Sequence, residues 1–189
     1  MELSDEVLCQ RVANRDEAAF NLLVERYQER AYRLAWSILR DAEEARDLSQ
    51  EAFIRLHQAA GSFGGRARFS TWFYRILVNL CLDHRRKHRR WSGVLVAAHS
   101  EDEPESSIVE RQPAPFQDPL EDLGKEQTMK VLWAAVDHLS PQQRTALLLQ
   151  VQEELPTAEI ATVLKCSEAT VRVHLHRALT ALRKMMGNL

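Results

Sequence analysis

Apolar residues recur at three- and four-residue steps along most of the chain, a period that is typical of amphipathic helices. The pattern predicts a short helix over residues 5–12 and a second helix of about six turns after Asp16. Asp41 with Glu44 three residues later predicts the N-terminus of a third helix. Its buried face contains Ala45, Leu48, Ala52, Phe53 and Leu56. No stretch alternates with period two, so we expect an all-α fold.

The helical pattern is interrupted twice in the following part of the chain. Three glycines and two arginines in residues 61–68 predict a loop, after which Ser70 or Thr71 caps a long helix that runs toward Arg90. From residue 91 to about 120 the periodicity is lost in a proline-bearing, acidic stretch, which indicates a flexible linker. Helical spacing returns in residues 121–139. We therefore expect two small helical domains, residues 1–92 and 121–189, joined by a flexible acidic linker over residues 93–120.

The second domain contains a helix start followed by a pair of closely spaced helices. Ser140, Pro141 and Gln143 combine an N-cap, a first-turn proline and an N3 glutamine. Apolar residues in 157–164 have helical spacing and predict a short helix. A second segment with helical spacing follows and contains Val171, Leu175, Ala178, Leu179 and Leu182. Two helices joined by so short a turn cross steeply, which is the geometry of a helix-turn-helix. The alternative is an ordinary amphipathic hairpin with a solvated basic face.

Charge is segregated along the chain, although the net charge of 189 residues is only −2. The balance is −4 over residues 1–60, +7 over 61–92, −7 over 93–124 and +2 over 125–189. Such blocks indicate an anion-binding surface, an acidic linker and a mildly basic second domain. Three isolated cysteines form no disulfide framework, and neither a membrane span nor a signal peptide is evident, so we expect a cytoplasmic protein.

Aromatic and basic residues are concentrated in residues 69–90, where cations suit phosphates and aromatic faces suit unstacked bases. Two alternatives stay open: cations also stabilise a helix C-terminus, and Phe73 with its apolar neighbours suits a core. Cys81, His84 and His88 have a spacing that is compatible with metal ligands on one helix face. Because a fourth ligand is missing, we predict no metal site and no cofactor.

Five stretches together resemble one family over nearly the whole chain outside the linker. They are A-F-N-L-L-V-E-R-Y (19–27), D-L-S-Q-E-A-F-I-R-L (47–56), F-S-T-W-F-Y-R-I-L-V-N-L-C-L-D (69–83), L-S-P-Q-Q-R (139–144) and E-I-A-T-V-L…T-V-R-V-H-L-H-R-A (159–178). Their order and spacing are similar to those of alternative sigma factors of the extracytoplasmic-function type, which give bacterial RNA polymerase its promoter choice.

The resemblance implies a role for three sets of residues. The polymerase-binding set is Asp47, Gln50, Glu51 and Arg55. The set for the minus-ten promoter element is Arg66, Arg68, Phe69, Trp72, Asn79, Asp83 and Arg86, which would also hold a flipped base. The set for the minus-thirty-five element is Lys165, Ser167, Thr170, Arg172, Val173, His174 and Arg177. Catalysis then belongs to the polymerase, and the chain is not an enzyme.

The chain departs from the family pattern at three places in the second domain. Lys165 stands where many members have glycine, which costs about 1 kcal/mol if its φ is positive. Pro156 replaces a Ser or Thr cap, and Val173-His174 replaces a common Ser-Arg. Promoter preference therefore cannot be transferred from the family at these positions.

The resemblance also implies partners and control. Core RNA polymerase and promoter DNA are the expected partners, with an anti-sigma factor that is often membrane-anchored in this family and would hold the protein at the inner membrane. Independently of the resemblance, the charge pattern suggests that the acidic linker screens the basic block when DNA is absent. Two rival functions are a response-regulator output protein, which usually carries an α/β receiver domain that residues 1–90 do not predict, and an interaction protein that touches no DNA.

Overall fold

The computed structural model describes residues 3–97 and 123–186, and every long regular element within them is an α-helix. No strand occurs in these two ranges, as the sequence predicted. The helices are α1 (Asp5–Ala13), α2 (Glu17–Leu39), α3 (Ala42–Ala59), α4 (Phe69–Ala97), α5 (Leu123–Asp137), α6 (Pro141–Val151), α7 (Thr157–Leu164) and α8 (Glu168–Met186). A 3-10 turn at Ala60–Ser62 follows α3. We call residues 3–97 the N-terminal unit and residues 123–186 the C-terminal unit.

Local caps define the first helices of the N-terminal unit. Asp16 accepts a hydrogen bond from the Ala19 backbone N–H at 3.1 Å and starts α2. Asp41 accepts a hydrogen bond from the Glu44 backbone N–H at 2.9 Å and starts α3, which confirms the predicted cap. Between them Arg40 has φ 63°, a left-handed conformation that ends α2 and turns the chain. These helices pack around a core with α4.

The start of α4 differs from the sequence prediction. The helix begins at Phe69, so Ser70 and Thr71 lie inside its first turn and do not cap it. The Phe69 backbone N–H donates instead to the Glu6 side chain of α1 at 3.1 Å. A cap from 63 residues away leaves no local sequence signal. The helix also continues to Ala97 and takes in residues 93–97 of the predicted linker; the rest of that linker lies outside the described residues.

The C-terminal unit packs α6, α7 and α8 against one another and α5 against α8. Ser140 and Gln143 form the predicted capping box at the start of α6. Pro156 begins α7 without a side-chain cap, and Lys165 ends it with φ 53°. Lys165 therefore adopts the left-handed conformation in which a glycine is favoured. Leu179 belongs to the apolar period of α8, yet it is 42% exposed.

The two units contact each other, α2 against α6 and α4 against α7. Arg144 is 3% exposed and donates to the carbonyl oxygens of Ile38, Val136 and Asp137 at 3.5, 3.2 and 2.6 Å. Its guanidinium thus lies at the carbonyl ends of α2 and α5, where a cation is favoured electrostatically.

An aromatic pair adds a second contact at the same place. The rings of Trp36 and Trp133 meet edge to face at 5.7 Å between centroids. The Arg40 guanidinium lies 3.9 Å from the first ring centroid and 4.8 Å from the second, which is the geometry of a cation–π contact. The units therefore share polar as well as apolar contacts.

Candidate nucleic-acid interface

Helix α8 has one face in the core and one in solvent. Val171, Leu175, Ala178 and Leu182 are buried and hold the helix against the rest of the C-terminal unit. The opposite face contains most of the residues predicted to read the minus-thirty-five element. Lys165, Ser167, Arg172, Val173 and Arg177 are exposed, whereas Thr170 and His174 are half-buried. Helices α7 and α8 are separated by three residues and pack against each other, in the order that the sequence predicts for a helix-turn-helix.

The N-terminus of α8 is ordered by side-chain hydrogen bonds. The Ser167 hydroxyl accepts from the Thr170 backbone N–H at 3.1 Å and lies 2.9 Å from the Thr170 hydroxyl. Arg172 pairs with Glu168 one turn earlier at 3.1 Å, and both side chains are largely in solvent. Such an exposed pair contributes little stability, so the Arg172 guanidinium is available to a base edge or a phosphate.

Part of the predicted minus-ten surface forms one side of α4. Arg68, Trp72, Asn79, Asp83 and Arg86 recur at helical spacing and share that side. Arg68, Asp83 and Arg86 are exposed, Asn79 is half-buried, and the Asp83 carboxylate accepts a hydrogen bond from the Arg86 guanidinium. Arg66 is exposed on the preceding loop, where Gly65 has φ 65°.

The aromatic members of that surface are buried instead. Phe69 is 0% exposed, and its ring stacks on Phe73 at 6.0 Å and meets Tyr27 edge to face at 5.2 Å. In this arrangement the Phe69 ring belongs to the core, and its contact with DNA stays a prediction. Trp72 is 9% exposed because it packs against Phe63 at 5.4 Å, so it offers little of its face to a base.

The predicted polymerase-binding residues form an exposed face of α3. Asp47, Gln50 and Arg55 are exposed, and Glu51 is half-buried in an ion pair with Arg55 at 2.8 Å. Sequence reasoning missed Ile54, which lies on this face and is 51% exposed. The sequence does show Ile54 as an apolar residue that lies outside the helical spacing of the buried stripe of α3. Among the residues that the structure describes, this polar face lies outside the core of the unit.

The candidate metal ligands do not converge. Cys81 is fully buried, and burial raises the pKa of its thiol to about 12. His84 places Nδ1 3.3 Å from the Glu44 carboxylate. Within residues 3–97 and 123–186, no three His, Cys, Asp or Glu side chains are grouped to hold a metal ion. In the same ranges no helix combines the length and apolar character that crossing a membrane requires.

Comparisons with known proteins agree with this geometry. Residues 23–91 match the Sigma-70 region 2 family, and residues 129–182 match the Sigma-70, region 4 family. The chain is 31% identical to the RNA polymerase sigma-H factor of Pseudomonas aeruginosa, covering 96% of this chain and 93% of that one. It is 32% identical to the ECF RNA polymerase sigma factor SigW of Bacillus subtilis, covering 100% of both. The sigma factor RpoE of Bartonella quintana, solved with the anti-sigma factor NepR, shares the fold with a TM-score of 0.69 at 21% identity, covering 89% of this chain and 96% of that one.

The fold and the exposed α8 face define an all-α, helix-turn-helix protein of transcription. The relatives above exceed 30% identity over nearly the whole chain, so the chain belongs to the extracytoplasmic-function sigma factors. It is a promoter-directing sigma factor. Sigma factors are transcription factors rather than enzymes.

Proposed function

We propose that the chain binds core RNA polymerase through α3 and contacts promoter DNA through α4 and α8. Residues 1–92 serve the polymerase and the minus-ten element, residues 121–189 serve the minus-thirty-five element, and residues 93–120 connect them. The observation that carries the proposal is that Arg172, Val173 and Arg177 are exposed on a helix whose apolar stripe is buried. A rival response-regulator output protein is disfavoured because the N-terminal unit has no strand among its described residues.

Helix α8 supplies the chemistry for duplex recognition. An arginine donates two hydrogen bonds to guanine, and a small apolar side chain packs against a thymine methyl group in the major groove. Arg172 and Val173 are exposed, and Arg177 lies one turn after Val173 on the same side of the helix. We assign the base contacts to Arg172 and Val173. We assign phosphate contacts to the remaining residues of the set: Lys165, Ser167, Thr170, His174 and Arg177.

Helix α4 and the loop before it supply the surface for the melted minus-ten strand. Residues 61–92 have a charge balance of +7, and Arg66, Arg68 and Arg86 are exposed. A surface with so many cations can bind the phosphates of a single DNA strand. Asn79 and Asp83 add polar groups on the same side of the helix for the edge of an extruded base. The Phe69 ring lies in the core in this arrangement.

The same proposal covers partners and location. Its partners are core RNA polymerase, promoter DNA and an anti-sigma factor that competes with the polymerase. The chain carries out no reaction itself and acts in the cytoplasm. An anti-sigma factor anchored in the inner membrane would hold it there before release. Two small units with exposed docking faces on α3 and α8 suit a partner that covers both.

Base reading by α8 is tested with Arg172→Ala and Arg177→Ala, and Lys184→Ala in the last turn of the same helix is the control. Transcription from a library with a randomised upstream element measures preference at every position. If Arg172 reads a base, its loss costs about 1–3 kcal/mol at one position. Loss of Arg177 lowers transcription uniformly. If neither variant differs from Lys184→Ala, α8 does not read the promoter.

Polymerase binding by α3 is tested with Asp47→Lys and Glu51→Arg. Glu29→Arg is a matched control, because Glu29 pairs with Arg33 on α2 by the same four-residue spacing as Glu51 with Arg55. Affinity for core polymerase is measured by surface plasmon resonance, with circular dichroism as a check on helicity. The α3 variants bind more weakly and the α2 variant is unchanged. Equal binding by all three contradicts the assignment.

A further inference from the structure

One carboxylate of the C-terminal unit contacts the DNA-facing end of α4. Glu159 lies in the first turn of α7. One of its oxygens is 3.4 Å from the Arg68 guanidinium nitrogen Nε, and the other accepts a hydrogen bond from the Thr71 hydroxyl. Arg68 precedes α4 directly and Thr71 lies in its first turn. A single acidic side chain therefore binds a cation and a hydroxyl of the N-terminal unit at once.

A second carboxylate of the C-terminal unit is buried against α2 and α4. The Glu153 side chain is 3% exposed and accepts hydrogen bonds from Arg30 at 3.0 Å and from the Tyr74 hydroxyl. The terminal guanidinium nitrogen of Arg30 is 2.8 Å from the same oxygen. Glu153 precedes α7 and Tyr74 lies one turn after Thr71. The contact at Glu159 is thus the outer edge of an ordered interface.

A carboxylate and a phosphate present the same chemistry to this surface. Both are anions that accept hydrogen bonds from a guanidinium and from a hydroxyl. Arg68 is one of the cations of the surface that we assign to the minus-ten strand. We propose that Glu159 occupies the phosphate contact of Arg68 when no DNA is bound, so that the C-terminal unit competes with single-stranded DNA for α4. This inference rests on the proposed role of α4.

The two DNA surfaces are affected differently by this contact. The α4 surface has Arg68 engaged with Glu159, whereas Arg172 and Arg177 on α8 stay exposed. The chain in this arrangement therefore presents α8 to duplex DNA and withholds part of α4 from a melted strand. The Arg68 side chain is 73% exposed, so an incoming phosphate can displace the carboxylate without crossing a buried layer.

The test compares Glu159→Gln with Glu154→Gln in the full chain. Both changes remove one negative charge, but Glu154 is exposed between Glu153 and Leu155 and takes no part in the contact with Arg68. Fluorescence anisotropy measures the affinity of each for a labelled single-stranded oligonucleotide of random sequence, at low and high salt. Glu159→Gln binds about two- to fivefold more tightly than Glu154→Gln, the fold-change expected from one partly exposed ion pair. The gain shrinks at high salt.

Arg68→Ala, alone and combined with Glu159→Gln, separates this inference from the proposed function. The combined variant loses the gain if Arg68 is the site of competition. Equal affinities for the Glu159 and Glu154 variants, or a gain that survives loss of Arg68, overturn the competition. If Arg68→Ala alone lowers affinity while Glu159→Gln gains nothing, only the competition fails and the DNA-binding role of α4 stands. If Arg68→Ala changes affinity in neither background, the assigned role of Arg68 fails as well.

Discussion

Glu153→Gln tests whether the two units contact each other in solution as they do in the structure. The change keeps the shape of the side chain and removes its charge. In the structure the carboxylate is 3% exposed and binds the Arg30 guanidinium and the Tyr74 hydroxyl. The effect on stability therefore depends on whether these partners are present when the protein is free.

The size of the stability loss follows from the hydrogen-bond partners of Glu153. Hydrogen bonds to a charged group contribute about 1.5–3 kcal/mol, and neutral bonds are roughly half as strong. Because the Arg30 side chain is 42% exposed, water screens its share of the interaction. The Tyr74 hydroxyl still donates to the amide oxygen. The net loss in the free energy of unfolding is about 2 kcal/mol, which lowers the melting temperature of a chain of this length by about 4–8 °C.

The assay is thermal unfolding followed by far-ultraviolet circular dichroism. Glu154→Gln is the control, because this neighbouring side chain is exposed. If the units were apart in solution, Glu153 would lie in water and the two variants would melt together. A double-mutant cycle with Tyr74→Phe adds a second criterion: the two substitutions must be non-additive if the residues are in contact. Equal melting temperatures together with strict additivity would refute the reasoning.

Three further predictions concern single residues. Burial, and next the charge of Glu153, raise the pKa of Tyr74. The neutral hydroxyl therefore stabilises the fold below the pKa of an unfolded tyrosine, about 10, and this stability is lost as the pH rises through the folded pKa. As the pH rises above about 9, the melting temperature of Tyr74→Phe should therefore fall less than that of the parent protein. Near neutral pH a thiol reagent should modify Cys166 first, because Cys9 and Cys81 are 0% exposed and react only after unfolding. A titration of reactive thiols with and without denaturant checks this order. Lys165→Gly should raise the melting temperature by about 1–3 °C, because it relieves left-handed strain at the end of α7; a lower value would contradict that reason.

Features with a short-range cause could be predicted from the sequence. The caps at Asp16, Asp41 and Ser140 depend on residues three positions away, and all three are present. The crossing of α7 and α8 follows from two apolar periods and a short turn. The exposed face of α8 was predicted for the same reason, because burial of one stripe leaves the opposite stripe in solvent.

Features with a long-range cause could not be predicted. The cap of α4 comes from Glu6 on another helix, which is why the start of that helix was misplaced. Phe69 has an aromatic ring that could stack on a base, and only its packing against Tyr27 and Phe73 shows that the ring lies in the core. The contact between the units was missed because Glu153 and Arg144 are charged, and charged residues are rarely buried unless they are paired.

The central claim is that this chain directs core RNA polymerase to particular promoters. The most direct measurement combines the purified chain with core polymerase on a library of genomic fragments and maps the transcript ends. The claim predicts that the chain co-purifies with core polymerase and produces discrete start sites that core enzyme alone does not produce. An absence of complex formation, with start sites no different from those of core enzyme alone, would contradict it.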